Sequence, residues 1–178
     1  MKPMDSPMSL ARICATTVLG LSVAFAGCAA KQVGAPVPVG ISVEFPSAPT
    51  AIVTDSVRIF AFDGLQSCAD LVSIRGSGRP LPPVKMEERK TPCELQAGSA
   101  VDLERNHSYT LLVAAQVGEK DLLVGCTQQD AFGEVQALPV TLAYASNEFT
   151  LSTIEATTPG ATTRCAKLSD KCNNTCLK

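Results

Sequence analysis

The stretch Tyr109-Thr110-Leu111-Leu112-Val113-Ala114-Ala115-Gln116-Val117, followed by Gly118-Glu119-Lys120-Asp121 and Leu122-Leu123-Val124-Gly125-Cys126, decides the fold class. Tyr109, Leu111, Val113, Ala115 and Val117 recur with period two, which puts them on one face of an extended strand. Leu122, Val124 and Cys126 resume the alternation after the four-residue connection at 118–121, the layout of a β-hairpin. Upstream, Val57, Ile59 and Ala61 alternate with Arg58, Phe60 and Phe62, and Asp63-Gly64 suits a turn after that strand. Ile41, Val43 and Phe45 open the sheet before Pro46, which lacks the N–H that a ladder needs. Downstream, Leu138, Val140, Leu142 and Tyr144 line another strand, and Phe149 with Leu151 a last one. Helical periodicity is scarce. One short turn is expected at Cys68-Ala69-Asp70-Leu71, with Asp70 near its positive end. Strands at this spacing, punctuated by Gly, Pro and Asp/Asn, predict an all-β domain over residues 40–151: a small antiparallel Greek-key β-sandwich. A disulfide-rich C-terminal tail follows it.

The chain has 178 residues, 46% hydrophobic and 18% charged, enough for one modest core. Its net charge of −2 offers no clustered positive field for a phosphate backbone, so nucleic acid is excluded as a partner. Twelve Gly and twelve Pro are near ordinary usage, which rules out collagen-like or low-complexity character. Eight Cys are too many for a cytosolic chain of this size without metal-site spacing.

The amino terminus reads as an export signal over residues 1–27. Lys2 and Arg12 flank a polar start, and an apolar run of fourteen residues follows at 13–26. As a helix that run reaches only about 21 Å, short of the ~30 Å hydrocarbon core a permanent span must cross. Met8 is an alternative start that leaves the mature chain unchanged. The run ends in Phe25-Ala26-Gly27-Cys28, which resembles the lipobox of bacterial lipoproteins, with Phe25 where that family has an aliphatic residue. The resemblance implies a diacylated, amino-terminal Cys28, and Ala29 rather than Asp after it implies the outer membrane. Residues 28–39 are small and turn-rich, as a flexible tether would be. The competing reading is plain secretion, since Ala24-Phe25-Ala26 is also a signal-peptidase-like site.

With Cys14 inside the signal and Cys28 taken by lipid, six cysteines remain: Cys68, Cys93, Cys126, Cys165, Cys172 and Cys176. In an exported chain they imply three disulfides. Three of them lie in the central region and three in the last fourteen residues, so complete oxidation forces at least one bridge from tail to body. The connectivity is otherwise open. The arrangement taken first pairs Cys68 with Cys126, joins Cys93 to a tail cysteine, and closes a small loop with the other two. A zinc site at Cys165, Cys172 and Cys176 lacks a close C-x2-C pair, and His107 is the only histidine. No metal or other cofactor is expected, and no C-x-x-C redox pair is present.

Asn106-His107-Ser108-Tyr109-Thr110-Leu111, the Gly125-Cys126 pair and Leu138-Pro139-Val140-Thr141-Leu142 resemble a turn and strands of prealbumin-like sandwich domains, including carboxypeptidase-regulatory-like and collagen-adhesin B-type repeats. Small surface lipoproteins of gliding, predatory bacteria are similar, with one cysteine after an early strand and a second in a Gly-Cys pair. Cys68 and Cys126 match that pattern, while Cys93 and the tail cysteines do not. Residues 75–90, rich in Gly, Pro and charge, read as a long surface loop, with Arg75, Arg79, Lys85 and Arg89 as candidate contact residues. Residues 152–163, rich in Ser, Thr and Ala, read as a linker.

No nucleophile elbow, metalloprotease helix, P-loop or dinucleotide fingerprint is present. Gly76-Ser77-Gly78 reads as loop, His107 as a solvated turn residue without an orienting partner, and Tyr109 as a core or tyrosine-corner residue. Adjacent Glu87 and Glu88 point apart in an extended chain and so form no glycosidase pair. The expectation is a non-enzymatic, lipid-anchored envelope protein that binds or scaffolds an envelope partner. The alternative is an exported hydrolase, or hydrolase accessory, with an unrecognised site.

Overall fold

A computed structural model of the chain describes residues 35–130 and 137–176. The signal-like residues 1–27 and Cys28 lie outside these. Among the described residues the chain is mostly β, in two sheets. The smaller holds β1 (Pro36–Glu44) between β4 (Ala100–Glu104) and β7 (Leu138–Thr141). The larger runs in the order β3 (Met86–Lys90), β2 (Ser56–Asp63), β5 (Tyr109–Val117), β6 (Lys120–Gln129), β8 (Ala143–Tyr144), and every pairing in it is antiparallel. Short helices fill the connections: α1 (Ala48–Val53), α2 (Cys68–Gly76), α3 (Pro92–Gln96), α4 (Leu151–Thr157) and α5 (Leu168–Cys172).

One apolar core joins the two sheets. Val39, Ile41, Val101, Leu103, Leu138 and Val140 of the smaller sheet share it with Val57, Ile59, Ala61, Leu111, Val113 and Ala115 of the larger. The larger sheet is buried on its other face as well, where Phe60, Phe62, Leu112, Ala114 and Val124 pack against Leu71 of α2. This explains why β5 is buried at nearly every position rather than at alternate ones.

The hairpin departs from the four-residue connection expected of it. Pairing continues to Val117 and Lys120, leaving a two-residue turn with Gly118 at φ 59°, a value glycine adopts without steric cost. A bulge compensates: Ala115 pairs with Leu123 and Gln116 with Asp121, so Leu122 is extra on β6. Both Leu122 and Leu123 are therefore fully buried in the inter-sheet core, and the parity of all that follows is reversed. Val124 and Cys126 face α2 instead of sharing a face with Leu122, and that reversal brings Cys126 to Cys68 at the start of α2.

Several boundaries move. The segment expected as a tether ends early, because Pro36 to Gly40 already pair with β4. The sheets are not wholly antiparallel: the second half of β1, from Ile41, runs parallel to β7, which the long intervening chain permits. The expected strand 138–144 divides at Leu142, with β7 in one sheet and β8 in the other, and Tyr144 is left exposed on the far edge. Leu151 begins a helix rather than a strand, and residues 152–163 are not a linker. Ile154 is buried, and the Thr153 hydroxyl accepts from the Thr150 backbone N–H at 2.8 Å to start α4. The long loop of 75–90 shrinks from both ends, since Arg75 and Gly76 belong to the last turn of α2 and Met86–Lys90 is an edge strand. Its sequence, Met-Glu-Glu-Arg-Lys, carries no apolar alternation because charges on an outer strand deter pairing with a second chain.

Candidate functional site

The four basic residues proposed for contact do not form one patch. Arg75 is held by Asp121, with Nε donating to Oδ2 at 2.5 Å and Nη2 to Oδ1 at 3.0 Å, and its guanidinium lies 5.2 Å over the Phe60 ring. The Asp121 hydrogen bond raises the Arg75 pKa above its ordinary value against the opposing effect of burial. Buried Gln116 adds a third bond to Asp121, from Nε2 at 2.7 Å. This bidentate pair fastens α2 to the hairpin and leaves Arg75 little to offer a partner. Arg79 donates from Nε to Ser77 Oγ at 2.9 Å. Lys85 sits at the Asp63 end of β2, 3.5 Å from Glu104 and 4.0 Å from Asp63, and these carboxylates, Asp63 foremost, raise its pKa. Arg89 lies 3.8 Å from Glu119 at the hairpin turn, near the other end of β3. Acidic residues absent from the expected set thus neutralise most of it.

Next to Lys85, His107 has the partner that the sequence did not reveal. Its Nε2 is 3.1 Å from Asp63 Oδ1 and its ring centroid 4.7 Å from that of Tyr109. The nearby Ser108 hydroxyl donates to Asp130 at 2.6 Å. Tyr109 is buried, and its hydroxyl accepts from the Glu104 backbone N–H at 3.2 Å, five residues upstream, as in a tyrosine corner. Burial, the largest influence, raises its pKa.

The C-terminal segment is fastened to the body at several points. Cys93 of α3 bridges to Cys172 of α5 and so joins body to segment, while Cys68–Cys126 closes within the body and Cys165–Cys176 within the segment, with Cα separations of 5.3, 5.5 and 4.6 Å. Lys171 adds a polar anchor that the sequence did not announce. Its Nζ donates to the carbonyls of Ile52 at 2.7 Å and Thr54 at 2.6 Å, the ones left open where α1 ends. Desolvation lowers its pKa, with Asp55 opposing. Glu155 of α4 organises the following turn, its carboxylate accepting from Gly160 N at 2.5 Å, Thr162 N at 3.0 Å and Thr162 Oγ1 at 2.9 Å.

These anchors enclose a cleft of about 380 Å³ between α1, the hairpin turn and the C-terminal segment. Ile52, Val53, Val117 and Ile154 give it apolar walls, the Cys165–Cys176 bridge lines one side, and Asp55, Arg164 and Lys171 supply its charges. Among the described residues no group of three or more His, Cys, Asp or Glu is placed to hold a metal, and no helix is long and apolar enough to cross a membrane. Comparison with protein-family profiles, with curated proteins and with solved structures finds no match to this chain.

Proposed function

We propose that this chain is a non-enzymatic, lipid-anchored protein of a Gram-negative envelope, held at the outer membrane through Cys28 and built on a Greek-key β-sandwich of the prealbumin-like kind. It acts as a binding or scaffolding module for an envelope partner, such as a component of a motility, adhesion or secretion assembly. One observation carries the reading: all six cysteines after Cys28 are consumed in bridges. Such pairing belongs to oxidising compartments and is resisted by a reducing cytosol. None of the six is therefore a partner for Cys28, which ends an apolar run in the sequence. Two or three acyl chains, at about 0.8 kcal/mol per buried CH₂, hold a protein on a bilayer far more firmly than one.

The partner would meet an exposed sheet edge or the short segment between α2 and β3, rather than a continuous basic loop, because Arg75 and Lys85 are engaged within the fold. Fatty-acid labelling of wild type and Cys28→Ser tests the anchor. Label and membrane association are expected to disappear together, and label retained on the variant refutes it. A pull-down from detergent-solubilised envelopes tests the partner, and shortening residues 78–84, which spares α2 and β3, tests the segment. The hydrolase reading has the His107–Asp63 contact in its favour. Turnover in a broad hydrolase screen, lost in His107→Ala, would replace the binding-module account.

A further inference from the structure

We propose that the cleft between α1, the β5–β6 turn and the C-terminal segment binds a small amphiphilic carboxylate, its apolar part against Ile52, Val53, Val117 and Ile154 and its carboxylate between Arg164 and Lys171. This site is independent of lipidation and of any partner protein.

Size comes first. A volume of about 380 Å³ is within the range of small-molecule pockets, roughly 300–1,000 Å³. The walls come from the body and the C-terminal segment alike, and that segment is held in place by the Cys93–Cys172 bridge, by Lys171 and by the packing of Ile154 into the core. The side chains of the apolar part offer no hydrogen bonds, which selects a hydrocarbon surface over a sugar or nucleoside.

Charge selects the other end. The carboxylates here are engaged by the fold: Asp55, which lines the cleft, accepts through Oδ2 from the Gly118 N–H at 2.8 Å, and Glu155 of α4 accepts through both oxygens from Gly160 and Thr162. Of the two cations, Lys171 spends two of its three N–H donors on α1 carbonyls and keeps one. Arg164 is exposed and lines the cleft with a planar fork suited to a carboxylate. An anion entering here meets two cations, Arg164 and Lys171, against the one lining carboxylate, Asp55, whose charge also acts on Lys171; a cation would meet the reverse balance.

The test uses the intact, fully oxidised chain carrying ¹³C-methyl isoleucine, titrated with hexanoate, 1-hexanol and hexylammonium. Hexanoate should shift the Ile52 and Ile154 methyl signals saturably and leave Ile59 and Ile74 unmoved. Because a charge-assisted contact is at stake, 1-hexanol should bind about tenfold more weakly, and Arg164→Gln should lower hexanoate affinity about tenfold. Arg164 lies on the surface, so this variant keeps the fold, and unchanged Ile59 and Ile74 signals verify that. Ala161→Leu, which narrows the cleft, should abolish the shifts. Equal or tighter binding of 1-hexanol or hexylammonium, shifts spread over all isoleucines, or no saturable shift would overturn the proposal.

Discussion

Gly125 of β6 lies against Thr141 and Leu142, where the chain passes from one sheet to the other. A Cβ built on it would meet the Thr141 carbonyl oxygen at 2.4 Å and Leu142 Cδ2 at 2.8 Å, contacts that neighbouring backbone cannot relieve cheaply. Gly125→Ala should therefore destabilise the fold by about 1–3 kcal/mol, as overpacking does. Chemical denaturation checks this, and an unmoved midpoint would contradict the close crossing. Asp121 is the second sensitive position, since it alone receives both Arg75 and Gln116. Asp121→Ala leaves three N–H donors of Arg75 and Gln116 short of partners and should cost about 1–3 kcal/mol by the same measurement. A mild effect on the scale of a surface ion pair would mean that water replaces it. Neither role could be read from the sequence. The Gly-Cys pair was visible, but the strand that crosses over Gly125 comes from a segment sixteen residues on. Asp121 looked like one more polar residue in a turn. Tyr109 was easier: a tyrosine opening an apolar strand face asks for a buried partner for its hydroxyl.

At the level of elements, the hairpin and the paired strands β2 and β5 were legible because their apolar runs are bounded by turn residues, although both faces of these strands are buried. The bulge was not. Leu122, Leu123 and Val124 are all apolar, so the sequence supports either parity, and only packing against two different cores decides between them. Edge strand β3 and helix α4 were hidden for opposite reasons. The first is made of charges that guard an edge, and the second is a Ser/Thr-rich stretch turned into a helix by one buried isoleucine. Helix α4 also carries a pH signature. Three hydrogen bonds, led by those from the Thr162 and Gly160 backbones, hold the Glu155 carboxyl below its ordinary pKa of 4.5. A depressed folded-state pKa means that its contribution is complete above 4.5 and is lost as pH falls through the lower, folded value. The stability difference between wild type and Glu155→Ala, followed by thermal unfolding across pH, should shrink below 4.5. A difference that holds constant into acid would remove Glu155 from the account.

For the whole molecule, the sequence dictated that body and C-terminal segment be joined, because three cysteines lie on each side. Which thiols meet follows from the fold: Cys126 is aimed at α2 by the bulge, and Cys93 and Cys172 sit on α3 and α5. The Cys93–Cys172 bridge closes a separation of 79 residues, and removing it by the double substitution Cys93→Ser, Cys172→Ser should cost about 2–4 kcal/mol. The variant should also expose the C-terminal segment to proteases while the sheets persist, as limited proteolysis would show. A variant as resistant as wild type would mean that Lys171 and packing suffice. The cleft, the bridges and the anchor all presuppose export, so the intact mass of the protein isolated from envelopes, before and after reduction, tests the account most directly. A chain beginning at Cys28, heavier by its acyl groups and gaining six hydrogens on reduction, is the predicted result. A chain without acyl mass, or one that gains fewer than six hydrogens, would contradict it.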